Sequence, residues 1–358
     1  MKGVPVAVVM VTYESAADLP RGLAAVGRLD PAPAELVVVD CASTDGSAAV
    51  ARASAPPGIR AQFLPLAENV GFAAGMNRAV ALATAPYLLT LNADTELSPD
   101  FLAPLVARLE SPHGRRFAAV TGRLLRERSD VPGDTEPRRL DACGMRLSWT
   151  WRHFDRGSGE ADRGQFSAAE LVFGATGAAT LWRRAALADV ALEEPHGPQI
   201  FDERYHSFRE DAELAFRLRE RDWEIVYEPL AVATHRRRVL PERRAALPAA
   251  VNLHSLKNRY LLRLDHQTAG NFLWTLPATL LRDAAALAWV LLRERSSLPA
   301  YGWLWRNRRE LVAHRRRVQR RRTAPARAVG RWFLRVGAPL PTGSTSTDNL
   351  RPVTPELR

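Results

Sequence analysis

The segment LLTLNADTEL at residues 88–97 runs an apolar strand straight into Asn92, Asp94 and Glu96. A strand apolar on both faces must be covered on both faces, so the carboxylates at its tip mark where a rigid core meets solvent. The preceding chain repeats the pattern. Residues 5–11 form a β-branched run ending at Thr12, Tyr13 and Glu14, residues 18–29 carry a helical apolar stripe, and residues 35–40 form a second buried strand closing on Asp40. The turn Ser43-Thr44-Asp45-Gly46 leads into an alanine-rich helix over 47–53, a strand near 60–66 and a helix across 73–83. Strands alternating with helices predict an α/β fold with a largely parallel sheet, whose ligands lie at the carboxyl ends of the strands.

Past residue 110 the alternation loosens. Residues 111–170 mix Gly, Pro and charge, with extended stretches at 117–125 and 140–151, and are assigned to substrate-facing hairpins and loops. In LVFGATGAATLWRR, residues 171–184, Gly174 and Gly177 permit close backbone approach. A helix is expected over 209–221 and a strand over 224–234, leading to His235.

At 358 residues and 46% hydrophobic, the chain can bury a large core and carry an appendage. Two cysteines, Cys41 and Cys143, make no disulfide framework, and no charged region followed by a cleavable apolar run opens the sequence, which predicts a cytoplasmic protein. Charge divides sharply at His235. Residues 1–235 hold 25 Lys+Arg against 32 Asp+Glu, a net −7, whereas residues 236–358 hold 25 against 7, a net +18. Lysine occurs only at Lys2 and Lys257, so the basicity is guanidinium, which grips phosphate through paired hydrogen bonds. Nucleic acid, anionic lipid and diphosphate-linked molecules all suit such a surface.

Three acidic landmarks carry the chemistry. Asp94 at a strand tip is placed to bind a hard cation carrying a phosphate ester; Asp40 at another can accept hydrogen bonds from a base or ribose. Glu210 and Asp211 begin a helix within FDERYHSFREDAELAFRLRERDW, residues 201–223. Singly, each has an ordinary explanation in turn chemistry or the helix dipole. Together with ENVGFAAGMN, residues 68–77, they resemble glycosyltransferase family 2, in particular its rhamnosyltransferase-like branch, in order from Val6 to His235.

The resemblance implies a GT-A fold over residues 1–238: Rossmann-like, with a mixed, mostly parallel sheet and helices on both faces. It implies an inverting, metal-dependent enzyme using a nucleotide-sugar donor. Thr12, Tyr13 and Glu14 would lie beside the nucleobase, Asp40 on base or ribose, and Asn69, Gly71, Phe72 and Asn77 along the nucleotide side of the cleft. Asn92, Ala93 and Asp94 take the place of the family's DXD motif, so Asp94, with His235, would hold Mg²⁺ or Mn²⁺ on the donor diphosphate. Asn92 departs from the motif and brings no second charge. Asp211 matches the general base, and Glu210 and Trp223 are assigned to the acceptor. The sequence lacks the QXXRW string of processive polymerases, which implies transfer of a single sugar, rhamnose or a related deoxyhexose from a dTDP or UDP donor.

The remainder reads as a basic helical extension over 239–335 and a disordered tail over 336–358. Residues 272–292 are apolar enough to suggest a membrane span, but Arg282 and Asp283 at the middle would cost about 2.5–3.5 kcal/mol each, which predicts an interfacial or packed helix instead. Over 303–322, Leu304, Leu311 and Val318 recur every seventh residue among arginines, a basic amphipathic pattern suited to an anionic membrane surface. An acceptor linked to polyprenyl diphosphate, met peripherally on the inner face of the cytoplasmic membrane, would account for it. Direct transfer of a hexose to a polyprenyl phosphate is the nearest alternative. A nucleic-acid-binding protein is the rival outside enzymes, but the amino-terminal part is acidic and carries no nucleic-acid motif, so no nucleic-acid partner is expected.

Overall fold

The computed structural model describes residues 4–128, 137–195, 197–237 and 249–341. Strand β1 (Val4–Thr12), helix α1 (Leu19–Gly27), β2 (Pro33–Asp40), α2 (Ser47–Ala53), β3 (Arg60–Pro65), α3 (Gly71–Leu82) and β4 (Tyr87–Asn92) follow in the order the sequence predicts. β1 pairs in parallel with β2 and β4, and β2 with β3. Val6 to Met10 of β1 are buried without alternation because helices cover both faces. The register sets Thr12 opposite Asp40 and Val11 opposite Asn92, so the three strand tips finish side by side.

After β5 (Thr95–Leu97) comes α4 (Leu102–Glu110), which the sequence reading had passed over, then β6 (Phe117–Arg126). The loosely patterned region supplies short strands: β7 (Leu140–Ala142) on β6, the hairpin β8 (Met145–Leu147) and β9 (His153–Asp155), and β10 (Glu170–Leu171). β11 (Ala179–Arg183) lies antiparallel between β4 and β6. α5 (Arg184–Val190), the hairpin β12 (Leu192–Glu194) and β13 (Gly197–Gln199), and α6 (Glu210–Glu220) lead to β14 (Glu224–His235), parallel to β6. The sheet is therefore mixed but mostly parallel.

Of the helices that follow, α7 (Ala249–His266) and α11 (Ala326–Gly330) add Leu262 and Val329 to the same core, where Trp332 and Phe333 join them. α8 (Ala269–Arg293), α9 (Pro299–Arg306) and α10 (Arg308–Arg320) pack instead in two small clusters on α7, Val290 and Ala300 with Leu256, and Leu311 with Leu261 and Tyr205. Trp151 stacks on Phe216 of α6 with centroids 5.5 Å apart and meets Phe333 at 4.9 Å. His266, fully buried, sits 3.1 Å from Glu220 and 3.4 Å from Glu213, tying α7 to α6. Burial opposes a charge on its ring, but the charge of Glu220 and the hydrogen bonds to both carboxylates prevail and raise it to about 9. One expectation fails at the end of the chain. Ala338–Pro339, assigned to a disordered tail, forms β15 on the edge of the sheet against β10, because the backbone of β10 has an open side there; residues 342–358 lie outside the described residues.

α8 differs from its neighbours. Its 25 residues are long and apolar enough to cross a membrane by length and composition, yet Leu273, Leu280, Leu281, Leu287 and Leu292 are exposed. Asp283 at its middle is paired with Arg259 and, at 2.7 Å, with Arg263 of α7, which anchors one face of α8 to the protein.

Candidate active site

The turn after β4 carries Asn92, Ala93 and Asp94, and β5 pairs antiparallel with β14 so that His235 faces Thr95, next to Asp94. His235 Nε2 lies 3.2 Å from Asp94 Oδ1, and its Nδ1 lies 2.7 Å from Asp141 Oδ2 on β7. Burial disfavours charge on the imidazole, but the hydrogen bonds to Asp141 and Asp94 outweigh it and raise the ring to about 9. Asp141 is itself buried, which would push its carboxyl up; the hydrogen bonds and charges of His235 and Arg237 hold it below the ordinary range. An octahedral cation with bonds of about 2.1 Å sets neighbouring ligand atoms about 3 Å apart, so Asp94 Oδ1 and His235 Nε2 are spaced to share one ion that takes the place of the proton now held between them. A carboxylate behind a ligating histidine is the usual way such a ring is oriented.

Asp211 stands in the first turn of α6. Its Oδ2 accepts the Gly177 N–H at 3.3 Å and its Oδ1 the Ala212 N–H at 2.7 Å. Burial, then the negative charge of Asp155, push its carboxyl up to about 6. Glu210, buried at its side, is raised well above the usual range by burial and by Asp211, and its Oε2 has no hydrogen-bond partner among the described residues. The loop that delivers Asp211 is strained: His206, Phe208 and Arg209 have φ of 61°, 69° and 75°. Asn258 of α7 holds it, donating from Nδ2 to the carbonyls of Tyr205, Ser207 and Phe208 at 2.8, 2.9 and 2.8 Å.

Two bridges join these halves. Asn92 donates its N–H to the carbonyl of Ala178 at 3.0 Å, and the preceding residue, Gly177, is the donor to Asp211. Arg237, with φ of 46°, donates to Asp141 Oδ1 and to Asp155 Oδ2, both at 2.8 Å, so one guanidinium spans the histidine side and the carboxylate that polarises Asp211. The sequence reading missed Asp141, Asp155, Arg237 and Asn258. Arg237 lies in plain view in the HRRR run after His235; Asp141 and Asp155 sit in hairpins whose pairing no local pattern gives.

The nucleotide-side residues cluster at the tips of β1 and β2. Asp40 accepts from Ser43 Oγ at 2.6 Å and Ser43 N at 3.0 Å, Glu14 (φ of 50°) accepts from Thr44 N at 2.6 Å, Thr12 is buried, and Tyr13 is exposed. Asn69 Oδ1 accepts from Gly71 N at 2.9 Å. Gly71, at φ of 82°, passes so close to His206 that a Cβ would overlap the ring, and the Phe72 ring lies against Gly177. Ala73 N donates to the His206 carbonyl at 3.0 Å, fixing the start of α3 to the loop before α6.

Two assignments are corrected. Asn77 does not line the cleft with its amide, which accepts from Ile200 N and Phe201 N at 3.0 and 2.9 Å and donates to Phe201 O and Glu203 at 2.8 and 3.0 Å; it is a clamp on the loop before α6. Trp223 lies beyond the far end of α6, whose last residue Glu220 is about 14 Å along the helix axis from Asp211, and its indole donates to Asp189 at 2.9 Å, so it serves packing rather than the acceptor.

Elsewhere, Asp202, Asp265 and His314 bring three potential metal-ligating atoms within 4.8 Å of one another. The Arg204 guanidinium already bridges both carboxylates, at 2.5 and 2.6 Å, and supplies the positive charge a metal would bring. That cluster is an ion-pair network fastening α7 and α10 to the loop before α6.

A mixed sheet whose acid-bearing strand tips finish side by side, joined by hydrogen bonds to the start of a helix that carries a carboxylate, has the GT-A architecture of sugar transferases. The chain belongs to glycosyl transferase family 2, whose family model matches residues 7–190. It is 28% identical over 252 residues, 64% of this chain and 75% of the relative, to an N-acetylglucosaminyl-diphospho-decaprenol L-rhamnosyltransferase of Mycobacterium tuberculosis. It is 35% identical over 100 residues to the succinoglycan biosynthesis protein ExoU of Rhizobium meliloti, covering 28% of this chain and only 29% of that relative's length. In fold it is similar to S. aureus TarS solved with UDP-GlcNAc, at a TM-score of 0.50 and 15% identity, over 88% of this chain and 90% of that one.

Proposed function

We propose that this family 2 glycosyltransferase is an inverting, metal-dependent enzyme that moves one sugar, rhamnose or a related deoxyhexose, from a dTDP or UDP donor to a saccharide carried on a lipid diphosphate. The observation that supports the reading is the bridge from Asn92 through Ala178 and Gly177 to Asp211, which ties the segment bearing Asp94 to the helix that bears the carboxylate. Inversion needs the acceptor oxygen to bond the anomeric carbon from the face opposite the leaving nucleotide diphosphate. As that bond forms and the anomeric carbon–oxygen bond to the diphosphate breaks, the hydroxyl proton passes to Asp211, whose raised affinity for protons suits it to general-base work near neutral pH. Asp94 and His235 are the residues that would hold Mg²⁺ or Mn²⁺, which when bound neutralises charge on the departing diphosphate. Tyr13, Glu14 and Asp40 would hold the nucleoside, and Glu210, with its unpartnered oxygen, an acceptor hydroxyl.

The sugar and the acceptor follow the mycobacterial relative's name. The exposed leucines of α8 and the arginines of α10 support a peripheral seat on an anionic membrane, on its cytoplasmic side, where nucleotide-sugars are found. The test incubates the full chain with dTDP-rhamnose and a panel of UDP-sugars, with and without Mn²⁺, and follows nucleotide diphosphate release. Release that requires metal and falls in Asp211→Asn on addition of acceptor supports the reading; a panel with no metal-dependent turnover would sink it.

A further inference from the structure

Between α7 and α8 lies a cavity of about 470 Å³, in the range that takes a small ligand. Arg209, Arg259, Arg282, Arg293 and Arg295 line it with Trp289, and Glu294 is the one acid among the described residues that line it. Arg259 is 8% exposed, and although Asp283 takes one end of its guanidinium, its Nε meets no acceptor among the described residues. The planar paired donors of guanidinium groups gathered around one concavity match phosphate oxygens. The cavity also has a direction. Arg209 immediately precedes Glu210 and Asp211, while Trp289 belongs to α8, where the nearby Leu281 and Leu292 are exposed.

We propose that this cavity seats the diphosphate of a lipid-linked acceptor, with its saccharide reaching toward Asp211 and its hydrocarbon chain lying along α8. The inference rests on the glycosyltransferase reading above and adds the site by which the acceptor is recognised. The donor diphosphate would keep the separate place proposed for it beside Asp94 and His235.

The test is calorimetry of the full chain with farnesyl diphosphate in EDTA, which denies the donor side a cation through which to hold a diphosphate. Farnesyl diphosphate should bind, inorganic pyrophosphate should compete, and the double variant Arg282→Gln/Arg295→Gln should raise Kd at least tenfold. Should that variant fail to fold, farnesol replaces it as the control, since loss of the diphosphate should abolish binding to the unaltered chain. Farnesol binding as tightly as farnesyl diphosphate, or the double variant binding it as the parent does, overturns the proposal. So does an equal loss by the variant on phosphatidylglycerol vesicles lacking any diphosphate, which would make the cavity a general headgroup site. Metal-dependent donor turnover without farnesyl diphosphate binding would remove this site and leave the enzyme reading intact; binding without donor turnover would do the reverse.

Discussion

Asp211 accepts the backbone N–H of Gly177 at 3.3 Å, and through that contact the first turn of α6 is fastened to the segment that also pairs with Asn92. Segments about 120 positions apart in sequence are thereby joined, and the hydrogen bond favours the ionised form of a carboxyl that burial would otherwise keep neutral.

Asp211→Asn keeps shape and the Gly177 contact but cannot take a proton. Its kcat should fall by about 10²- to 10⁴-fold while the donor Kd stays within a few-fold of the parent. Steady-state transfer and donor titration check both; near-parental kcat would remove the assignment.

The pH profile follows from the neighbours of Asp211. Its carboxyl sits at about 6, raised by burial and by Asp155, so the active, ionised form predominates above that pH and is lost below it. At pH 5 about a tenth of the plateau rate should remain. Asp155→Asn removes a negative charge, lowers the Asp211 value and should move the acid limb of kcat to lower pH. A limb that stays in place or moves upward contradicts the coupling.

On the other side of the cleft, Asp94→Ala should abolish Mn²⁺ binding measured by calorimetry without donor, and with it metal-dependent donor affinity. Asp141→Asn leaves His235 in place but weakens its orientation, and Mn²⁺ affinity should drop about 10- to 100-fold. Unchanged affinity in Asp141→Asn would mean that the 2.7 Å contact to His235 does not set the ring.

How far the sequence could be read depends on whether a residue's role is local. Strands β1, β2 and β4 and their tips were legible because apolar runs ending in Asp40 and Asp94 state both burial and its limit. The place of Asp211 in the first turn of a helix was legible in the sequence; the role given to it comes from the family resemblance. Asn77 was misread because its motif position says nothing of Ile200 and Phe201, whose amides its side chain caps. Trp223 was misread because nearness in sequence to Asp211 becomes distance once α6 intervenes. Asp141, Asp155 and Asn258 act only through contacts across 50 residues or more, with His235, Arg237 and the base loop. Nor does the basic composition of the extension reveal that His266 and Leu262 belong to the buried core.

Asn258 links that extension to the loop before α6. Its amide is fully buried and donates to three carbonyls of a loop in which three residues have positive φ, so the approach to Asp211 is held by α7 rather than by its own segment. Asn258→Ala leaves those carbonyls short of donors and should cost about 1–3 kcal/mol, read as a lowered urea midpoint with an unchanged slope. A loop freed from strain would relax away from the cleft, so kcat should fall at least tenfold while the donor KM changes little, because the nucleotide side is built on β1, β2 and β4. Asn258→Asp tests the contact chemistry at nearly constant shape: a carboxylate keeps the volume but opposes three carbonyl oxygens, and it should be no better than alanine. A variant that loses stability without loss of kcat at a temperature where it remains folded would show that α7 supports the fold alone and not the placement of Asp211.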